Sequence, residues 1–338
     1  MPERRKLMLV YPNQRWQKAD ANTVWDLNPA TLCLLAAMVK DIIDVKIVDA
    51  QFYNMTKEEF IEEVKEYMPD YVGISVMTSE YRDTLDITAG LVKGVCRDII
   101  VIAGGVHVTT HYELVIKNTD VDYCVRGEGE YVLRDLLRHF DEGTPLPQEG
   151  LISRNGDNVA IKSQAYVKDI AKLTWPAYEF VDYGAYLNKA SRFGPNRPVA
   201  LPCVRLVTTR GCPFGCSFCQ VEIISGRKVR ARDPEDVIQE LIFLKQKYGI
   251  KSIIFEDDNL LMAGNGYAEK LFTLMIEKKL NLKWIGIAFA IFMLTDKMLD
   301  LIRDSGCVGI NIAIESGNER ILKEIVQKPI KDLKSVPL

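Results

Sequence analysis

The chain has 338 residues, a formal net charge of −3 and a pI near 5.8, which argues against a nucleic-acid-binding face. Its 48% hydrophobic and 26% charged residues are those of a soluble globular protein, long enough for two domains. Eight cysteines are too few and too uneven for a disulfide scaffold, the polar start Met1 to Lys6 does not read as a secretory signal, and the longest apolar run, Trp284 to Leu294, is too short to span a bilayer. A reducing cytoplasm is therefore expected, where clustered cysteines serve metal or catalysis more often than bridges.

Residues 1 to 142 alternate strand and helix signals. Lys6 to Tyr11 is a continuous apolar run, as for a strand buried on both faces. A helix over Pro29 to Lys40, a strand over Val45 to Asp49 and a helix from Thr56 follow, the last with Glu59 completing a capping box. Strands are then expected at Tyr71 to Val76, Ile99 to Ala103 and Val121 to Arg126, with helices at Arg82 to Cys96, Thr110 to Asn118 and Tyr131 to Phe140. Five βα units of this kind predict a doubly wound parallel sheet of flavodoxin-like order 2-1-3-4-5. Such sheets bind ligands at the carboxyl ends of their strands, here Ser75 to Thr78, Gly104-Gly105-Val106-His107 and Arg126-Gly127-Glu128-Gly129-Glu130. The glycines fit either close approach to a planar ligand or ordinary tight turns. No G-x-G-x-x-G follows the first strand, so a dinucleotide is not favoured.

Taken in order, Asn28-Pro29-Ala30-Thr31-Leu32, Ile47-Val48-Asp49-Ala50, Pro69 to Ser75, Gly104-Gly105-Val106-His107 and Val125 to Glu130 make residues 6 to 140 similar to the cobalamin-binding domain of cobalamin-dependent radical S-adenosylmethionine (SAM) enzymes. The resemblance implies that Ser75, Thr78, Gly104, Gly105, His107, Gly127 and Glu128 contact cobalamin. The loop Pro12 to Thr23 has no histidine to offer cobalt. His107 is expected as a hydrogen-bonding loop residue near the cofactor, and His111 and His139 as helix-surface residues. Cys33, Cys96 and Cys124 read as core.

Residues 143 to 200 form a connector, with a linker at Gly143 to Pro147, a hairpin over Leu151 to Ile161 and a flexible loop over Ser191 to Pro198. Trp175, Tyr178, Phe180, Tyr183 and Tyr186 read as packing residues.

From residue 201 the βα rhythm resumes. Strands are expected at Cys203 to Thr209, Lys251 to Phe255, Leu282 to Ala290 and Val308 to Ile314, with helices at Asp233 to Tyr248, Gly266 to Lys279, Asp296 to Asp304 and Glu319 to Gln327. Four parallel strands predict a partial (β/α) barrel with its site at the carboxyl ends. After the first strand, Cys212, Cys216 and Cys219 stand at C-x3-C-x2-C spacing on a loop broken by Gly211, Pro213 and Gly215. A structural zinc site wants four closed ligands, and Cys203 and Cys307 are the nearest candidates for a fourth. A four-iron cluster held by three thiolates keeps one iron open. The basic run Arg227 to Arg232 fits a solvated loop or an anion or substrate contact.

With Phe218 before the last cysteine, Gly226 to Arg230, Phe255-Glu256-Asp257-Asp258-Asn259 and Ile314-Glu315-Ser316-Gly317, this half resembles the radical SAM superfamily. The resemblance implies a [4Fe-4S] cluster on Cys212, Cys216 and Cys219. It implies SAM contacts from Phe218, from Glu256 and Asp257 at the amino group, and from Glu315 and Ser316 at the ribose. It also implies cleavage of SAM to a 5′-deoxyadenosyl radical, cobalamin as methyl carrier, and an electron donor such as flavodoxin or ferredoxin. The substrate would be a small molecule, lipid or peptide. Methylation of an unactivated carbon is the expected reaction, with cyclisation or oxidative rearrangement, or a non-catalytic corrinoid- or zinc-binding module, as alternatives. The family's barrel has six βα units, so a C-terminally incomplete chain is expected.

Overall fold

The computed structural model describes residues 4–17, 28–78, 82–156, 158–189 and 197–328. Most of the loop expected over Ser191 to Pro198, and part of Pro12 to Thr23, lie outside these residues. The chain divides into two compact units, residues 1–167 with 174–182, and residues 168–173 with 183–338.

In the first unit, β1 (Lys6–Tyr11), α1 (Ala30–Val39), β2 (Asp44–Asp49), α2 (Lys57–Tyr67), β3 (Tyr71–Ser75), α3 (Asp83–Val95), β4 (Ile100–Gly104), α4 (Val106–Val115), β5 (Tyr123–Val125) and α5 (Glu130–Glu142) alternate. The strands lie in the order β2-β1-β3-β4-β5, all parallel, with helices over both faces. Alternation along the strands sends their side chains to two separate cores. Met8, Val10, Val72 and Ile74 pack with Phe60 and Val64 of α2 and Leu85, Ala89 and Val92 of α3. Leu7, Leu9 and Tyr71 pack instead with Leu32 and Ala36 of α1 and Leu133, Leu136 and Leu137 of α5. Each Val, Leu, Ile, Phe or Met among them contributes about 1.5–3 kcal/mol by leaving water. This is why β1 reads as an unbroken apolar run. Thr56 and Glu59 form the expected capping box on α2, the Glu59 amide donating to Thr56 Oγ1 at 3.1 Å and the Thr56 amide to Glu59 Oε2 at 2.8 Å.

The hairpin expected in the connector, β6 (Leu151–Asn155) and β7 (Asn158–Ile161), extends the first sheet instead. β6 pairs antiparallel with β5, and β7 with β6. The hairpin covers what would otherwise be an open edge at β5. Cys33 and Cys124 are buried in this unit, as expected of core cysteines, and burial pushes both thiols up to about 12. Cys96 is only partly buried and packs at the margin of the core.

The second unit contains α6 (Tyr183–Asn188), β8 (Cys203–Leu206), β9 (Thr209–Arg210), α7 (Val221–Ile224), β10 (Arg230–Ala231), α8 (Pro234–Tyr248), β11 (Ser252–Phe255), α9 (Tyr267–Glu277), β12 (Lys283–Gly286), α10 (Asp296–Asp304) and β13 (Cys307–Ile310). Its parallel sheet runs β13-β12-β11-β8, giving the four strands expected of a partial barrel. Four expected elements differ. The strand from Cys203 stops at Leu206, and Thr209–Arg210 pairs antiparallel with Arg230–Ala231. The strand from Leu282 ends at Gly286, where the chain folds back. Phe289 lies so close on Gly286 that a Cβ there would sit 2.0 Å from its ring. The last strand ends at Ile310; among the described residues β13 pairs only with β12, and its register against β12 is shifted. The final helix is a π-type turn, Ile321–Val326. Among the described residues no helix is long and apolar enough to cross a membrane.

Candidate functional site

The cysteine loop is a long excursion closed at its base by the β9–β10 ladder, with Arg210 opposite Arg230 and Thr209 opposite Ala231. Its entry needs a glycine. Gly211 has φ +96°, and a Cβ there would lie 2.5 Å from Lys228 O. The Gly211 amide donates to Asp258 Oδ2 at 2.8 Å, and the Cys212 amide to Gly226 O at 3.2 Å. Arg227 lies over Gly215, held by Glu222 at 2.8 Å, and Phe214 meets Phe292 edge to face at 5.5 Å. The Cys219 amide donates to Cys216 O at 3.0 Å, after which α7 leads away. Cys212 and Cys216 are half-buried, whereas Cys219 and Phe218 are exposed.

Burial pushes the Cys212 thiol up, opposed by a backbone hydrogen bond from Phe214 and one from the Asn259 side chain. Burial also pushes the Cys216 thiol up, opposed by the charge of Lys328. The field of Cys219 raises both of these thiols, so the three lie within electrostatic reach of one another. Among the described residues no three His, Cys, Asp or Glu side chains stand at single-ion spacing. An iron–sulfur cube is broader than one ion, and its thiolates stand correspondingly further apart.

The strand-end residues divide in placement. Asp257, expected at the SAM amino group, is only 2% exposed and is turned under the cysteine loop. Its Oδ1 accepts from Thr208 N at 2.9 Å, Thr208 Oγ1 at 2.7 Å, Thr209 Oγ1 at 2.8 Å and Thr209 N. It braces the loop, because four donors already converge on that oxygen. Glu256 pairs with Arg205 at 3.1 Å and is partly exposed. Burial raises its pKa, and the guanidinium opposes the rise. Glu315 is at φ +71°, beyond the end of β13, and pairs with Lys328 at 3.3 Å. The neighbouring Ser316 Oγ accepts from Asn318 N at 3.1 Å. Asp258, Asn259 and Arg205, which the sequence did not single out, stand in contact with Gly211, Cys212 and Glu256 respectively. The signal for Arg205 was an arginine within an apolar strand. Asn259 is buried, and its Oδ1 has no hydrogen-bond partner among the described residues. Such an atom, beside Cys212, suits a polar ligand.

In the first unit, Ser75 closes β3 opposite Gly104. Gly104 leaves open space, since a Cβ there would meet nothing nearer than Val125 Cβ at 4.0 Å. Gly105 and Gly127 answer to the backbone instead. Both have φ +95°, and a Cβ would lie 2.6 Å from Val76 O or 2.2 Å from Ala165 O. Glu128 Oε2 accepts from Val167 N at 2.6 Å, which ties the strand end to the following chain. Thr78 is half-buried beyond β3. His107, expected on a loop, is buried in the first turn of α4 and stacked on His111 at 5.3 Å. Burial pushes its pKa down, and His111 adds to the effect. The imidazole is therefore neutral at pH 7, suited to a hydrogen bond with an uncharged ligand group. His139 Nδ1 lies 2.5 Å from Thr144 O at the end of α5.

Two family models match, a B12 binding domain over residues 19–137 and the radical SAM superfamily over residues 206–336. An uncharacterised methyltransferase of Pyrococcus horikoshii is 29% identical over 91% of this chain and 65% of its own length. The anaerobic magnesium-protoporphyrin IX monomethyl ester cyclase of Rubrivivax gelatinosus is 26% identical over 92% of this chain and 55% of its own. The chain thus spans between half and two-thirds of the length of these curated relatives. A solved radical S-adenosylmethionine methyltransferase, TsrM from Kitasatospora setae, with cobalamin and a [4Fe-4S] cluster bound, superposes with a TM-score of 0.75 at 18% identity. That match covers 95% of this chain and 62% of TsrM.

Proposed function

Because the chain belongs to the cobalamin-dependent radical SAM family, we propose that it transfers a methyl group to an unactivated carbon of a small-molecule, lipid or peptide substrate. The observation that carries this reading is the braced loop at the carboxyl end of β8. It presents Cys212, Cys216 and Cys219 beside the end of β11, with no fourth cysteine on the loop. That donor set fits a [4Fe-4S] cluster with one iron left for the amino and carboxylate groups of SAM. When bound, the cluster supplies the electron that splits SAM into methionine and a hydrogen-abstracting 5′-deoxyadenosyl radical, and cobalamin supplies the methyl group.

The chain's own residues bind and orient. Asp257 and Asp258 hold the loop entry in place. Arg205 opposes the burial that raises the Glu256 pKa and so favours the carboxylate that would meet the ammonium of SAM. Asn259 turns its amide to Cys212, Phe218 offers an exposed ring, and Glu315 with Ser316 takes the ribose hydroxyls. In the first unit, Ser75, Thr78, Gly104, His107 and Glu128 line the proposed cobalamin surface, while Gly105 and Gly127 let its backbone close up. A one-electron donor such as flavodoxin or ferredoxin in the reducing cytoplasm would feed the cluster.

The test is anaerobic reconstitution followed by incubation with methyl-labelled SAM and candidate substrates. The wild-type chain should be brown and contain iron, and Cys216→Ala should lose both the colour and SAM cleavage. A colourless, zinc-filled wild type would sink the reading. The similarity to a cyclase over 92% of the chain favours a second outcome, in which 5′-deoxyadenosine forms but no label reaches the product.

A further inference from the structure

The π-type turn Ile321–Val326 lies against the cysteine loop. Ser217, directly after Cys216, donates to it twice, from N to Val326 O at 3.0 Å and from Oγ to Ile325 O at 2.7 Å. The chain leaves the turn through Gln327 at φ +57°, and the Lys328 amide donates back to Leu322 O at 3.0 Å. Lys328 Nζ then donates to Ala313 O and to Glu315 Oε1, the latter at 3.3 Å. One lysine is therefore tied by its side chain to the segment beyond β13 and, through the turn and Ser217, to the cysteine loop. Its side chain is only 20% exposed, and it stands two residues after Val326, whose carbonyl accepts from the amide directly after Cys216. Glu315 holds a left-handed backbone that a non-glycine residue keeps only where its surroundings enforce it, and Lys328 grips both this residue and the carbonyl two residues before it.

Building on the radical SAM reading, we propose that Lys328 is a positioning residue that orients the Glu315 carboxylate toward SAM and raises the reduction potential of the cluster held by the Cys212–Cys219 loop. Reduction adds negative charge to the cluster, and a fixed cation in a partly buried site favours the more negative state. Neither half of the role needs Lys328 to touch the cluster or SAM.

The experiment compares the reconstituted wild-type chain with Lys328→Gln and Lys328→Arg. Iron content, the cluster's midpoint potential from titanium(III) citrate titration followed by electron paramagnetic resonance, and SAM affinity by equilibrium dialysis are read in parallel. At equal iron, Lys328→Gln should titrate at a more negative potential and bind SAM roughly 3- to 10-fold more weakly, the range one hydrogen bond is worth. Lys328→Arg should restore both. A Lys328→Gln protein with wild-type potential and SAM affinity overturns the inference while leaving the radical SAM reading intact. Should Lys328→Gln fail to take up iron, Lys328→Arg decides. Uptake at the wild-type potential supports the role of the charge, and failure overturns it. A wild-type chain that binds zinc and no iron overturns both.

Discussion

At Asp257, one carboxylate oxygen gathers donors from the backbone and hydroxyls of two consecutive threonines, while the other has no hydrogen-bond partner among the described residues. Burial pushes its pKa from 3.8 up to about 6, against the pull of those four bonds. Below about pH 4 both folded and unfolded chains carry the proton, and the group adds no pH dependence. Between about pH 4 and 6 the unfolded chain ionises first, so stability falls as pH rises, by about 2–3 kcal/mol in all. Asp257→Asn removes the titration but keeps an acceptor oxygen. Urea midpoints across this window should therefore show wild type losing stability relative to Asp257→Asn as pH rises, and parallel curves would disprove the burial argument. The acid itself was legible in the sequence as a polar strand-end residue, but its direction was not. Direction follows from register: Phe255 lies opposite Leu206, which sets residue 257 beside Thr208 and under the loop. No local pattern encodes that pairing.

Elements were legible where both faces of the sheet are covered, and blurred where they are not. β1 and β3 declare themselves because Leu7 to Tyr11, and Tyr71, Val72 and Ile74, each enter one of two cores. β13 does not: among the described residues it pairs only with β12, and Val308 on it is 52% exposed. The hairpin β6–β7 was visible as a hairpin, but its attachment to β5 depends on pairs distant in sequence, such as Tyr123 with Ser153 and Val125 with Leu151. The glycines at the strand ends carry the same lesson. Gly105→Ala should destabilise the first unit by at least about 2 kcal/mol, from the forced positive φ and the 2.6 Å approach to Val76 O. Gly94→Ala, near the end of α3 with nothing within 4 Å, should instead stabilise by up to about 0.5–1 kcal/mol. Thermal melts of the two variants would test this opposition, and equal shifts would refute it.

On the scale of the whole chain, the residues divide into two compact units, and the sites proposed for them use separate residues. Cys216→Ala should therefore abolish iron uptake while hydroxocobalamin binding, followed by its visible spectrum, stays within about twofold of wild type. A parallel loss of corrinoid would mean that the units depend on each other. Their independence does not extend to the path of the chain. Residues 168–173 belong to the second unit, and 174–182 return to the first, where the Ala177 amide donates to Cys33 O at 2.9 Å. During synthesis, which tends to fold domains from the N-terminus, the first unit is complete only once residue 182 has left the ribosome. By then a strip of its neighbour has already emerged without a partner. A gene cut after residue 167 would remove residues that the first unit uses, and a cut after 182 would carry along a piece of the second.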